Sequence, residues 1–117
     1  MLPEDRDAAL LWDMLDAARD IAGFVSGTGS ARFESDKVLR LAVERQILVI
    51  GEAARRISAT FRAAHAEIPW TAMVGQRNVL AHEYGEVLVE RVWLVATVDI
   101  PDLIRKLEPL VPPAPGD

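Results

Sequence analysis

Apolar residues recur at helical spacing along most of the chain, and this pattern predicts four helical segments. Leu11, Leu15 and Ala18 follow one another at intervals of three or four residues, which places them on one face of a helix. The same period continues through the other segments. The predicted segments cover about residues 4–25, 36–64, 69–82 and 87–107.

Turn and cap residues separate these segments. Gly27 and its neighbouring glycines end the first segment, and Ser35 is a suitable N-cap for the second. Pro69 is a favourable first residue for the third segment, which ends before Gly85. Four helices joined by short links predict an all-α, antiparallel four-helix bundle.

Two residues interrupt the helical pattern. A glycine inside a helix costs about 1 kcal/mol relative to alanine, so we expect Gly51 to permit a close helix approach. Pro101 removes a backbone hydrogen bond, which predicts a bend near residues 97–101. The bundle is expected over residues 1–108, and residues 109–117 form a Pro-rich tail that we expect to be disordered.

Composition limits the possible functions. The 117 residues suffice for one domain with its own core, and the absence of cysteine excludes disulfides and thiolate catalysis. The formal net charge of −5 argues against a general nucleic-acid coat, although it allows a few phosphate contacts in a local cleft. No apolar run is long enough to span a membrane, and the acidic N-terminus does not resemble a secretory signal. We therefore expect a cytoplasmic protein without membrane contact.

The densest group of chemically able side chains lies at the end of the third segment. It consists of Arg77, Asn78, His82, Glu83 and Tyr84. The arginine fork matches phosphate oxygens, and histidine titrates near neutral pH. Such a pair can in principle cleave RNA without a metal. The alternative is that these positive charges only interact favourably with the negative end of the helix dipole at the C-terminus.

Spacing alone favours a site shared between two copies. Arg77 and His82 are five residues apart, which is about 140° around a helix, whereas Asn78 and His82 share one row. Two copies that meet along this helix would bring two arginines and two histidines into one cleft. The wide apolar faces of the first two segments also suggest burial in a homodimer.

Several stretches resemble one family. RNVLAHEY at 77–84 resembles the R-x-x-x-x-H-x-Y signature of the HepT branch of the HEPN superfamily. ILVIGEAARRIS at 47–58, HAEIPW at 65–70 and the stretch at 87–108 resemble further parts of that family, in the same order. The resemblance extends over about residues 5–108. It implies a helical bundle that dimerises and forms a composite RNA-cleaving cleft.

The same resemblance implies roles for individual residues. Arg77 and His82 match the catalytic pair of these endoribonuclease toxins, which act without a cofactor. Tyr84 matches the tyrosine that a nucleotidyltransferase antitoxin of the MntA kind modifies with AMP, in a type VII toxin–antitoxin system. Adenylate there would add bulk and negative charge beside the catalytic pair. Asn78 occupies a polar position from which it would orient the substrate or His82.

Further polar residues have two interpretations each. Glu52 either lines the cleft or forms an ion pair, and for Arg45 an ion pair is favoured. The two are seven residues apart and would not contact each other on one helix. Glu83 either assists His82 or faces solvent. Arg55, Arg56 and Arg62 form either a solvated strip or an RNA or partner contact. With no other ligand at suitable spacing, His65 is expected to cap or to lie in a loop and not to bind metal.

Two other functions remain open from the sequence. In the first, a catalytically inactive HEPN bundle serves as the binding partner of a nucleotidyltransferase. The net negative charge of the chain favours this function. In the second, the bundle is an accessory subunit of the kind found with kanamycin nucleotidyltransferases, although nothing in the sequence supplies a substrate. Loss of toxicity in Arg77→Ala or His82→Ala would distinguish the ribonuclease from both.

Overall fold

The structure, a computed structural model, describes residues 4–82 and 86–112, and it describes side chains outside residues 81–87. Within those residues it contains helices and no strand, which confirms the predicted all-α fold. The elements in chain order are α1 Asp5–Val25, α2 Ser30–Ser35, α3 Lys37–Arg56, α4 Ala59–Ala64, α5 Trp70–His82, α6 Glu86–Leu94, a π-helical turn Val95–Asp99, α7 Ile100–Leu107 and a 3-10 turn Glu108–Leu110.

The bundle is formed by α1, α3, α5 and the helical run from α6 through the π-helical turn to α7. Helix α3 packs along α1 on one side and along α5 on another, and α7 packs against α1. Leu11, Met14 and Ile21 of α1 are completely buried and meet Val43 of α3 in the shared core. The predicted apolar face of the first segment is therefore the face that forms the core.

The second predicted segment was expected to be one helix, and it is two. Its helix ends at Arg56, and Ser58 then adopts an extended conformation before α4 begins. The Ser58 backbone N–H donates to Oδ1 of Asp7 at 2.9 Å, and its hydroxyl donates to Oδ2 at 2.6 Å. The same hydroxyl accepts from the backbone N–H of Phe61, as an N-cap does. A carboxylate 51 residues away in sequence thus replaces the helical bond of Ser58.

The residues before α3 also differ from expectation. Ser35 was predicted to cap this helix, but it is the last residue of a short additional helix, α2. Asp36 is the cap, since its Oδ1 accepts from the backbone N–H of Leu39 at 3.0 Å. Helix α2 buries Phe33, whose ring lies 5.1 Å from that of Trp93. This aromatic contact between distant segments explains why local periodicity did not reveal α2.

The fourth segment contains a π-helical turn just before Pro101. The backbone N–H of Ile100 donates to the carbonyl of Val95, five residues back instead of four. Pro101 has no N–H, so it cannot continue the α-helical ladder to residue 97. The predicted disturbance at 97–101 is therefore a local widening of the helix. Val92 before the turn, Ala96 within it and Leu103 after it all remain buried.

Candidate active site

Helix α5 presents the predicted catalytic residues, and Trp70 fixes where this helix begins. The buried Trp70 ring donates from Nε1 to the carbonyl of His65 at 2.9 Å. Pro69 accepts the first helical bond from the backbone N–H of Met73, so Pro69 is the cap and the helix starts one residue later than predicted. The HAEIPW stretch thus sets the start of the helix that carries Arg77.

Gly51 allows α5 to approach α3 at the position of Arg77. A Cβ atom on Gly51 would collide with the Cβ of Arg77 and would lie 3.0 Å from the carbonyl oxygen of Met73. The close helix approach expected of Gly51 is therefore present. It brings the first carbon of the Arg77 side chain against the backbone of α3, which restricts where the guanidinium group can lie.

The Arg77 guanidinium group has two polar neighbours. Its Nη1 donates to Oδ1 of Asn78 at 3.0 Å, and its Nη2 lies 3.9 Å from Oε2 of Glu52. The Arg77 side chain is 38% exposed, so these contacts orient it while its other donors remain accessible. Asn78 therefore contacts the arginine itself, a neighbour that was not among its predicted ones.

Glu52 is shared between two arginines. Arg55 donates to its carboxylate through Nη2 at 2.7 Å and Nε at 3.3 Å, while Arg77 approaches from α5. The hydrogen bond from Arg55, followed by the charges of Arg55, Arg77 and Arg56, lowers the pKa of Glu52 below its usual value. In turn, Glu52 raises the pKa of Arg55. Glu52 therefore forms the ion pair that one interpretation predicted and also lies beside Arg77, while its role in an RNA-cleaving cleft stays a prediction.

These residues line an open groove between α1, α3 and α5, with a volume of about 630 Å³. We call it the arginine groove. Its apolar floor comes from Leu10, Leu48, Val49 and Ala53. Its polar lining residues are Asp13, Arg45, Glu52, Arg55, Arg56 and Arg77. Arg45 was expected to form an ion pair; it lines this groove, and the described partners of Glu52 are Arg55 and Arg77.

The remaining predicted site residues are at positions 82–84, of which the structure describes only the backbone of His82. His82 is the last residue of α5, so the helix is continuous from Arg77 to His82, and the two positions are offset by about 140°. The His82 side chain, Glu83 and Tyr84 lie outside the described residues. Their predicted roles therefore stay predictions.

His65 has the structural setting that its sequence position suggests. It ends α4, its Nδ1 lies 3.1 Å from Oε1 of Glu67, and its ring lies 4.4 Å from that of Phe61. In the described ranges, no three His, Cys, Asp or Glu side chains are close enough to hold a metal ion together. None of the helices within those ranges is both long and apolar enough to cross a membrane.

Comparison with known proteins assigns the family. The family model described as "Ribonuclease HepT-like" matches residues 14–110, which include α3, the described part of α5 and the π-helical turn. This chain belongs to the HepT-like ribonuclease family. The HepT-like match covers the α3 and α5 residues of the arginine groove and the RNVLAHEY stretch, so the resemblance noted in the sequence is confirmed at the level of the family.

Curated relatives of this HepT-like chain agree in length and name. Two proteins of Methanocaldococcus jannaschii, each with a name beginning "Putative RNase", are 35% and 31% identical to it. The alignments cover 86% and 94% of this chain, and 92% and 91% of the relatives. "Probable ribonuclease HepT" of Thermococcus cleftensis is 37% identical over 86% of this chain and 91% of its own length. No solved structure gives a significant match.

Sequence reasoning missed two features of this region. The i,i+3 spacing of Glu52 and Arg55 permits an ion pair on one helix, and this pair was visible in the sequence but was not recognised. Asp7, in the first turn of α1, is 4% exposed and bound to Ser58. The spacing of residues gives no signal for that second contact.

Proposed function

We propose that this HepT-like chain is an endoribonuclease toxin that cleaves RNA with Arg77 and His82, without a metal cofactor. The observation that carries the proposal is the setting of Arg77. It is seated against Gly51, held by Glu52 and Asn78, and still 38% exposed at an arginine-lined groove. An arginine ordered in this way, with free donors, is suited to a phosphate.

The proposed chemistry needs only a base, an acid and a cation. The ribose 2′-oxygen attacks the adjacent phosphorus while its proton passes to a base, and the bond to the 5′-oxygen of the next nucleotide breaks as that oxygen takes a proton. His82 serves one of these proton transfers. Arg77 stabilises the negative charge that grows on the phosphate oxygens. The products are a 2′,3′-cyclic phosphate and a free 5′-hydroxyl.

The offset between Arg77 and His82 supports a site composed of two copies. Side chains about 140° apart on one helix do not converge on a single phosphate from the same face. In a homodimer, Arg77 of one copy and His82 of the other would face the same phosphate. Exposed apolar side chains on α1 and α3, namely Phe24, Val38 and Leu41, supply surface for such an association.

Regulation is proposed to act at Tyr84. A cognate nucleotidyltransferase antitoxin would transfer AMP from ATP to the Tyr84 hydroxyl and release pyrophosphate. The attached phosphate carries negative charge two residues from His82, where it would compete with RNA for the cationic site. Glu83 and Asn78 are proposed to support His82 and Arg77, respectively. In this proposal the protein acts in the cytoplasm, where its RNA substrate is found.

The decisive experiment is cleavage of labelled RNA by the purified chain, produced without an antitoxin and assayed in EDTA. The parent protein should cleave, while Arg77→Ala and His82→Ala should lose most of their activity. Arg105→Ala is the matched control, because Arg105 is an exposed arginine paired with Asp102 on α7, away from the groove. Cleavage by both site variants at the parent rate would refute the proposed pair.

An inactive parent protein calls for its intact mass. A mass increase of one or more AMP units, absent in Tyr84→Phe, would support an enzyme silenced by modification. An unmodified and inactive protein would instead favour the binding partner of a nucleotidyltransferase as the function of this chain.

A further inference from the structure

The arginine groove concentrates positive charge on a protein that is acidic overall. Arg45, Arg55, Arg56 and Arg77 line it, against the two carboxylates of Asp13 and Glu52. The groove therefore carries an excess of positive charge, whereas the whole chain has a formal net charge of −5. A local excess of this kind attracts a polyanion to one face of the molecule and not to the others.

Two of these arginines have no described carboxylate partner. Arg55 and Arg77 share Glu52, and outside the groove Arg19 and Arg105 pair with Glu108 and Asp102. Among the described ion pairs, none includes Arg45 or Arg56, and both side chains are exposed. Guanidinium groups in this state remain available for phosphate oxygens.

Two arginines of α3, Arg45 and Arg56, lie in a row that leads along the groove. Arg45, Glu52 and Arg56 are separated by seven and four residues, so they share one helical face. From Arg45 to Arg56 the helix rises about 16 Å, so phosphates bound at these two residues would belong to different nucleotides of one strand. Arg77 approaches this row from α5 beside Glu52.

We infer that the arginine groove is the track for the RNA backbone, in which Arg45 and Arg56 bind phosphates next to the one held at Arg77. This inference rests on the proposed ribonuclease function and extends it to substrate binding. The described lining of the groove contains no aromatic side chain for base stacking. Binding therefore depends on phosphates, with a steep salt dependence and little sequence preference.

The test measures RNA binding in a His82→Ala background, so that the RNA stays intact. A fluorescent single-stranded RNA of about 12 nucleotides, within the usual site size for such grooves, is titrated at several salt concentrations. Arg45→Ala/Arg56→Ala is compared with Arg45→Lys/Arg56→Lys, which retains the charge. Arg19→Ala/Arg105→Ala removes the same charge from outside the groove and serves as the matched control.

The double alanine variant should bind about tenfold more weakly near physiological salt, and the slope of log K against log salt should fall by about 1.4. The lysine variant and the control should stay close to the His82→Ala parent. Unchanged affinity and slope in the double alanine variant would overturn the track. A change from dimer to monomer with an unchanged slope would also overturn it, and would assign the groove to a second copy.

Failure of the track and failure of the proposed function give different results. Suppose that the chain with His82 intact cleaves RNA and that substitution of Arg45 and Arg56 leaves RNA binding unchanged. This result would overturn only the track. Arginine-dependent binding by an unmodified chain that never cleaves would support the track and refute the nuclease.

Discussion

At the scale of single residues, the proposed function gives Glu52 two opposing effects on RNA. Its carboxylate holds Arg77 and Arg55 in place, yet it also brings negative charge into a groove proposed to bind phosphates. A residue with these two effects should influence binding and cleavage in opposite directions, which a purely structural residue would not do.

We therefore expect Glu52→Gln to bind RNA more tightly and to cleave it more slowly. Removal of one negative charge should lower KM a few-fold, while the loss of the ionic contact to Arg77 should lower kcat about tenfold or more. Steady-state kinetics on a short RNA checks this. Glu108→Gln, which removes the same charge near Arg19, is the control. A parallel rise of KM and fall of kcat would contradict the interpretation.

Glu44 provides a prediction about pH. Partial burial raises the pKa of its carboxyl above the usual value, although the charge of Arg40 opposes this effect. A raised pKa in the folded state means that the favourable contribution is present at low pH and is lost as pH rises through the folded pKa. At neutral pH the Glu44 carboxylate therefore costs stability.

Replacement of Glu44 by glutamine should stabilise the protein at neutral pH by about 0.5 kcal/mol or less, because solvent screens the group. The gain should disappear near pH of about 4, where both states protonate the glutamate. Urea unfolding at both pH values measures it. Glu90→Gln, at an exposed glutamate of α6, controls for net charge. A gain that is equal at both pH values would contradict burial as the cause.

At the scale of elements, the contact between α3 and α5 depends on Gly51. Alanine there would gain about 1 kcal/mol of helix propensity, but its Cβ would force α5 away from α3. Overpacking of this kind costs about 1–3 kcal/mol, so we expect Gly51→Ala to be less stable and to have reduced ribonuclease activity.

Gly23→Ala is the matched control for this change. Gly23 is also helical, and an added Cβ would have no atom within 4 Å, so it should stabilise the protein by up to about 1 kcal/mol. Urea denaturation of both variants checks the pair. Equal stability changes in the two would show that the close approach at Arg77 does not limit substitution.

The junction between α3 and α4 depends on Asp7. Asp7→Ala would leave the half-buried Ser58 N–H and hydroxyl without their acceptors, which should cost about 1–3 kcal/mol. The equilibrium free energy of unfolding measures this. Asp5→Ala, at an exposed position of the same first turn, should cost less than about 1 kcal/mol. Similar losses in both variants would mean that Asp7 contributes only through the helix dipole.

Periodicity and caps predicted those elements whose cause is local. The apolar face of α1 and the disturbance before Pro101 follow from neighbouring residues. The break at Ser58 and the short helix α2 depend instead on Asp7 and Trp93, which are far away in sequence. The position of Arg77 was predicted from the family signature, whereas its contact with Glu52 required α3 and α5 to be packed.

At the scale of the whole molecule, the boundary of the folded domain can be located by truncation. The bundle was predicted to end at residue 108, and Leu110 and Val111 pack partly buried against the core. The backbone N–H of Val111 also donates to the carbonyl of Leu107 at 3.1 Å. The sequence favoured a disordered tail because prolines follow these two residues closely.

Truncation after Pro112 should leave the melting temperature unchanged, whereas truncation after Glu108 should remove about 1–3 kcal/mol of apolar burial. Thermal unfolding of the two shortened chains and the full chain checks this difference. Equal stability of all three would place the end of the domain at residue 108, as the sequence predicted.

The π-helical turn before Pro101 has a consequence for how length varies among relatives. A π turn holds one more residue than the α-helix it interrupts. Removal of one residue between Val95 and Asp99 would close the turn and leave both flanking helices with the same faces toward the core. A single-residue gap in α6, with the π-helical turn left intact, would rotate Leu103 and Leu107 by about 100° out of the core. Natural alignments should therefore place their single-residue gaps in this helix at 95–99.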